Sequence, residues 1–403
     1  MNQKKKVCIA GKNAIAVDAM RYIYSDFQNE VELYVLPNKS DKGISQWQPS
    51  LRNEAKLLGI PVVELDDCYL MDGVLFISLE YDRIIKPELF CSGALYNIHF
   101  SMLPKYKGMY TSAWPILNGD STSGVTLHEI DSGIDTGAIV GQVEFPILGM
   151  SCRDLYFAYM ENAQVLFRSK FKDLLSGEIT SMVQEAIGAT YYPKSSIKYD
   201  ALDLDFFATA FQVCRQFRAY SFREFQLPRY KGMNLGEAEI LSTRSKLRPG
   251  QLVFRDEERL IVATVDYDVE LKIDFLGQLI RLAESLNLQG LNEVFSRVKD
   301  LNELGPQGWN ALMVAAFHNN LEAVKALVAN GSSLGAVNCN GTTILMYAKD
   351  GAERAKDLTV LQWLLESGAD IEAVDQRGKT VIDYCLENDQ QFTLDCLRAH
   401  QVL

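Results

Sequence analysis

The sequence predicts an α/β fold on a mostly parallel sheet, followed by a small, mostly β segment and a C-terminal α-helical repeat. Three observations predict it. Through residues 1–190 short apolar runs alternate with helical periodicities, the pattern of a parallel sheet covered by helices on both faces. Through 191–276 the runs are shorter and alternate polar with apolar. Through 277–403 one frame recurs: G-W-N-A-L-M-V-A-A at 308–316, G-T-T-I-L-M-Y-A at 341–348 and G-K-T-V-I-D-Y-C at 378–385. Its spacings of 33 and 37 residues suit stacked helical repeats, which bury a core only against their neighbours.

In chain order, residues 7–10 form a short apolar strand closed by Gly11. Residues 14–24 have helical periodicity, with Ile15, Ala19, Tyr22 and Ile23 on one side. The turn between them, G-K-N, lacks the G-x-G-x-x-G fingerprint of a dinucleotide site, and Asn13 stands where a helix N-cap is expected. A second strand covers 31–36. A helix covers 49–58 and stops at Gly59-Ile60-Pro61, and strands cover 62–63, 73–78 and 94–99. The runs 125–130 and 138–145 are antiparallel or edge strands. Residues 151–175 form a long amphipathic helix, with Leu155, Tyr159 and Leu166 among its apolar positions. Beyond it a helix covers 203–217, short strands cover 238–241, 251–254, 260–264 and 270–274, and a cap helix pair covers 284–304.

The 403 residues suffice for two or three domains, and 48% hydrophobic with 23% charged residues describe an ordinary soluble protein. A net charge of −12 argues against non-specific nucleic-acid binding, yet leaves room for a nucleotide in a local pocket. The eight cysteines include no C-x-x-C pair and read as reduced thiols. The histidines at 99, 128, 318 and 400 are far apart in sequence, so no metal site is expected. No run reaches the roughly 18 apolar residues of a membrane helix. Lys4-Lys5-Lys6 leads straight into a strand, so a cytoplasmic protein without a membrane partner is expected.

The chemistry concentrates between Tyr96 and Asp135. On an extended segment Asn97, His99 and Ser101 share one face, while Ile98 and Phe100 take the other. Leu103-Pro104 and Lys107-Gly108 then turn the chain into a loop. A histidine and a carboxamide thus stand at the end of a buried strand, where open α/β sheets bind ligands. The residue types suit acyl transfer. A neutral imidazole accepts a proton from an attacking amine. A carboxamide N–H donates to a tetrahedral oxyanion. A carboxylate, here Asp135 in the turn I-D-T-G, orients the imidazole.

The run N-I-H-F-S-M-L-P-K-Y-K-G, followed by D-S-G-I-D-T-G, closely resembles the formyltransferases that use N10-formyltetrahydrofolate. His99 and Asp135, 36 residues apart, fit that pattern, which covers roughly the first 190 residues. The resemblance implies a Rossmann-like catalytic domain with Asn97, His99 and Asp135 as its catalytic three. It implies backbone contacts from Leu79 and Tyr81 to the pterin ring of the folate co-substrate. It places Asn13, Met109, Tyr110 and Thr111 near an amino sugar. Trp114, ahead of Pro115, reads as packing. The segment 191–276 matches the C-terminal part of sugar-nucleotide formyltransferases less tightly. Its basic and aromatic residues suit a nucleotide through phosphate pairing and stacking, and Lys194, Arg218, Phe222 and Tyr230 are the candidates. The expected reaction formylates a dTDP-amino-dideoxyhexose, with dTDP-3-amino-3,6-dideoxy-D-glucose first and the dTDP-4-amino sugar as alternative, for O-antigen or related surface-glycan synthesis. Methionyl-tRNA formylation, hydrolysis of formyltetrahydrofolate and an ankyrin adaptor with an inactive enzyme domain are the rivals. Relatives imply a homodimer.

The repeat frame, with N-G-S-S-L-G-A-V-N and S-G-A-D-I-E-A-V-D between its copies, resembles ankyrin repeats. Trp309 stands where a small residue is usual, so its ring would serve a second nucleotide-sugar site or a dimer contact.

Overall fold

A computed structural model describes residues 4–91, 94–199, 202–285 and 287–401. Its contacts divide the chain into two units: residues up to Phe222 with 242–250 and 264–269, and residues 223–241, 251–263 and 270–403.

The first unit is built on β1 (Lys5–Gly11), α1 (Asn13–Asp26), β2 (Val31–Pro37), α2 (Leu51–Leu58), α3 (Leu65–Leu70), β3 (Leu75–Leu79) and β4 (Leu95–His99). It continues through β5 (Lys107–Gly108), α4 (Trp114–Asn118), β6 (Thr122–Glu129), β7 (Ile139–Pro146), α5 (Cys152–Ser176), β8 (Tyr191–Tyr192) and α6 (Ala210–Tyr220). The main sheet runs β2-β1-β3-β4-β6-β7. Its first four strands are parallel, and β6 lies antiparallel to both β4 and β7. β1 pairs β2 on one side and β3 on the other, so the order reverses between β1 and β3. A crevice opens at the carboxyl ends of strands at such a reversal.

Alternation along the strands divides the core. Val7, Ile9, Leu75, Ile77 and Ile98 join one buried cluster with α1 and α5, whereas Cys8, Ala10, Phe76 and Leu95 join a second with α3. On β4 this puts Asn97 and His99 on the parity of Leu95, opposite Ile98 and Phe100, as the sequence predicts. Tyr22, Phe27, Phe167 and Phe171 meet edge-on or tilted where α1 packs on α5. The long helix starts as expected: Ser151 accepts from Asp154 N–H and Asp154 answers, a capping box.

Some expected elements shift. Residues 62–63 form no strand: Val62 makes an isolated bridge to Val35, because Pro61 precedes it and the Glu64–Asp67 capping box starts α3 just after. The helix expected at 203–217 begins at Ala210. Thr209 and Gln212 form its capping box, and Asp205 turns the chain beforehand by accepting from Phe207 N–H.

A second sheet is formed by β9 (Arg229–Tyr230), β10 (Met233–Ile240), β11 (Leu252–Arg255), β12 (Arg259–Ala263) and β13 (Asp268–Ile273), ordered β11-β12-β13-β10-β9; all but the first two residues of β13 fall in the second unit. Among the described residues eight helices follow: α7 (Leu276–Glu284), α8 (Leu288–Phe295), α9 (Ala311–Phe317), α10 (Leu321–Ala329), α11 (Ile344–Ala355), α12 (Thr359–Glu366), α13 (Val381–Glu387) and α14 (Gln391–Gln401). α7 and α8 replace the cap pair expected at 284–304. α7 starts earlier because Leu276, Leu279 and Ala283 already make a buried stripe; residue 286 lies outside the described residues. The repeat frame has a physical cause. Its third residue, Asn310, Thr343 or Thr380, is each time a helix N-cap accepting from the N–H three residues on. The longer spacing after the second copy is taken up by α11, 12 residues against 7 in α9. Among the described residues no helix is long and apolar enough to cross a membrane.

Candidate active site

The three residues expected to be catalytic converge. Asp135, at φ 54° in its turn, brings Oδ2 to 3.5 Å from His99 Nδ1 and Oδ1 to 3.6 Å from His128 Nε2. Asn97 donates from Nδ2 to His128 Nε2 over 3.0 Å, since His128 Nδ1 is committed as donor to the Glu129 carbonyl at 2.7 Å. One Asn97 N–H is thereby used and the amide orientation fixed. The other ring nitrogen of His99, Nε2, lies 2.8 Å from the Tyr106 carbonyl. A carbonyl only accepts, so Nε2 carries hydrogen and Nδ1 is left to take a proton, beside the Asp135 carboxylate.

His99 is 8% exposed and its ring is centred 6.5 Å from that of His128. Burial by itself would push the Asp135 carboxyl up. The imidazoles of His99 and His128 and the Gly108 N–H, 2.8 Å from Oδ2, outweigh it and hold the group well below the usual carboxylate range.

His128 is the residue that sequence reasoning missed. The two histidines are distant in sequence, but β4 and β6 pair antiparallel with Asn97 opposite His128 and His99 opposite Thr126. Alternation along 125–130, taken with pairing to 94–99, carries that signal. Also missed is a strap, 182–192. Thr190 accepts from Tyr106 N–H through Oγ1 at 2.7 Å, and from Lys107 N–H through its carbonyl at 2.9 Å. Gln184 donates from Nε2 to the carbonyls of Asp135 and Gly137 at 2.9 and 2.8 Å. β5 and β8 pair here so tightly that a Cβ on Gly108, φ 91°, would lie 2.4 Å from the Tyr192 carbonyl oxygen.

The remaining candidates fall as follows. Leu79 is fully buried, and its carbonyl accepts from Lys12 N–H at 3.3 Å; Tyr81 is half-buried against the second cluster. Asn13 is not the N-cap of α1, which is Lys12; Asn13 is the first residue of the helix. It donates to Glu80 Oε2 at 3.1 Å and to Tyr156 Oη at 2.8 Å, while Gln48 accepts from Ala14 N–H. Met109 is 45% exposed, Tyr110 meets the Tyr199 ring edge-on, and the Thr111 carbonyl accepts from Tyr159 Oη at 3.1 Å. Trp114 stacks on Tyr192 at 3.9 Å, the packing expected of it. Lys194 is exposed, and Arg218 keeps a buried Nε with no hydrogen-bond partner. Phe222, 4% exposed, is enclosed by Trp47 and Tyr156, so no free face remains for a base. Tyr230, 7% exposed, belongs to the second unit. Trp309 is half-buried against Phe317 and Tyr347, at ring separations of 5.2 and 4.8 Å.

Comparison with known proteins gives the family. The formyl transferase family model matches residues 64–164, and the model for three ankyrin repeats matches 278–375 and 312–401. An N-formyltransferase from Helicobacter canadensis, solved with folinic acid and dTDP-3-aminofucose, is 36% identical. It matches 67% of this chain and 100% of its own, with a TM-score of 0.62. The chain belongs to the formyltransferase family. Another formyltransferase structure, WlaRD, a sugar 3N-formyl transferase solved in the presence of dTDP and 5-N-formyl-THF, is also 36% identical. It covers 68% of this chain and 98% of its own, at TM-score 0.62. The methionyl-tRNA formyltransferase of Borrelia duttonii is 30% identical over 229 residues, 54% of this chain and 72% of its own. This formyltransferase therefore carries the family's α/β domain first and ankyrin repeats at its C-terminal side.

Proposed function

We propose that the protein transfers the formyl group of N10-formyltetrahydrofolate to the amine of a dTDP-amino-dideoxyhexose, with dTDP-3-amino-3,6-dideoxy-D-glucose as first choice. The amine nitrogen attacks the formyl carbon. The free N–H of Asn97 stabilises the oxyanion, and His99 Nδ1 takes the amine proton beside Asp135. The intermediate collapses with cleavage of the bond to N10, which receives that proton. The products are a formamido sugar nucleotide and tetrahydrofolate. Leu79 and Tyr81 offer backbone groups to the pterin. Asn13, Met109, Tyr110 and Thr111 line the sugar side, and Lys194 and Arg218 serve the diphosphate. We place the reaction in the cytoplasm of a homodimer, supplying O-antigen or a related surface glycan.

The observation that carries the sugar reading is the 36% identity to the Helicobacter canadensis enzyme over that enzyme's whole length. Methionyl-tRNA formylation is the second reading, favoured by the Borrelia relative. The net charge of −12 weighs against a polynucleotide acceptor. Incubation with formyl-folate and a panel of dTDP-amino sugars tests the proposal. Tetrahydrofolate appears only when an amino sugar is present. Release without any acceptor indicates a hydrolase, release only with methionyl-tRNA indicates the second reading, and either outcome overturns the proposal.

A further inference from the structure

The crevice where the strand order reverses lies between β1 and β3, one strand away from the catalytic strand β4. Two side chains flank it: Asn13, just beyond β1, and Glu80, just beyond β3. The two strand ends are in close contact, since a Cβ on Gly11 would lie 1.8 Å from the Leu79 carbonyl oxygen.

Glu80 is unusual in three ways. Its backbone is left-handed at φ 58°, a conformation disfavoured for a residue with a Cβ. One carboxylate oxygen, Oε2, is saturated by Asn13 Nδ2 at 3.1 Å and Tyr156 Oη at 2.8 Å, while Oε1 has no partner among the described residues. No lysine or arginine forms an ion pair with it there. Burial pushes this carboxyl above its ordinary value, and the charge of Lys12 with the bonds from Tyr156 and Asn13 offsets only part of that. Glu80 is half-buried, and its Oε1 is not sealed from solvent, so a ligand can reach it. Beside it Asn38, fully buried, donates to the Glu80 carbonyl at 2.9 Å yet leaves its own Oδ1 without a partner. The corner therefore presents acceptors in excess of donors. It is also tied to the catalytic strand, because the Tyr156 ring packs on Phe100, the residue after His99.

We propose that Glu80, set by Asn13 and Tyr156, accepts a hydrogen bond from a ring hydroxyl of the amino sugar and so selects among hexose epimers. The inference rests on the sugar reading above. Neighbouring strands lie about 4.8 Å apart, so a pyranose with its amine at His99 on β4 reaches the end of β3 with a ring hydroxyl. A hydroxyl supplies the donor that this corner lacks.

The test is Glu80→Gln in the full-length chain, assayed with the formylated amino sugar nucleotide and its ring-hydroxyl epimer. KM for the sugar nucleotide rises about tenfold to a hundredfold, the loss of one hydrogen bond to a charged group. The preference between epimers collapses, and KM for formyl-folate stays within about twofold, well short of what one such bond is worth. The melting temperature of the free variant is unchanged, because the unpartnered Oε1 contributes no bond to the fold; a mere brace would lower it. Tyr156→Phe keeps the ring, drops one donor to Glu80 and raises the same KM by a smaller factor. It carries the test should the first variant misfold. A rise in the formyl-folate KM instead, or an intact epimer preference with an unchanged sugar KM, overturns the proposal. A wild-type enzyme that formylates no dTDP-amino sugar at all fails the sugar reading itself, a result separable from these.

Discussion

The proposed reaction moves charge at the Nδ1 edge of His99. With Nε2 held by the Tyr106 carbonyl and Asp135 kept ionised, a proton arriving at Nδ1 lies between imidazole and carboxylate. Replacing His99 by Gln is expected to lower kcat about 10²- to 10⁴-fold, the usual worth of a positioned general base. Asn97→Ala is expected to lower it about 10²- to 10³-fold, the usual worth of one oxyanion donor. Steady-state kinetics with both substrates checks each, and KM should change little. The depressed Asp135 carboxyl also gives a signed stability effect. Its contribution is fully present above the ordinary carboxylate pKa of about 4 and is lost as pH falls toward the lowered value. Asp135→Asn should therefore be less stable than wild type near neutrality, with the gap closing in acid. Denaturation at a series of pH values measures it; a gap constant with pH would contradict the ionised, paired carboxylate.

At the scale of elements, the proposed dyad of His99 and Asp135 is held by backbone rather than by its own strands alone. Tyr106–Gly108 supplies the carbonyl for His99 and the N–H for Asp135, and the strap through Thr190 fixes that segment. Thr190→Val keeps the shape and removes the acceptor for Tyr106 N–H. It is expected to lower kcat about tenfold at unchanged KM, the loss of about one hydrogen bond's worth of positioning. The ¹⁵N imidazole shifts of His99 should move away from a pure Nε2–H tautomer, which a purely structural residue would leave alone. In the repeats, Thr343→Ala removes an N-cap and should cost about 1 kcal/mol in denaturant unfolding. Much of this scale was legible. Alternation along 94–99 put Asn97 and His99 on one face, and the apolar periodicity of 151–175 gave α5. The start of α6 was not, because apolar spacing at 203–209 mimicked a helix that Asp205 and Thr209 prevent.

For the whole molecule, the ankyrin repeats extend a chain whose remainder matches the formyltransferase family. The Helicobacter canadensis structure is matched in full by 67% of this chain. Trp309 is half-buried and packs on Phe317 and Tyr347. Trp309→Ala is expected to reduce the number of dTDP-sugar molecules bound per chain in calorimetry while leaving the catalytic KM in place. Light scattering run in parallel reads the dimer-contact alternative as a drop in mass. No change in either measurement would make the ring packing alone.

What the sequence by itself determined was whatever is written in local order. The strand–helix alternation, the repeat frame with its N-caps and the N-I-H…D-T-G spacing each depend on residues near one another in the chain. Only the tertiary structure decided which distant residues meet. His128 reaches Asn97 and Asp135 through strand pairing. Glu80 reaches Asn13 and Tyr156 because the strand order reverses between β1 and β3. Thr190 reaches Tyr106 across 84 residues. Hydrogen bonds and buried charge act over a few ångströms, and sequence distance carries no record of that until the sheet has closed.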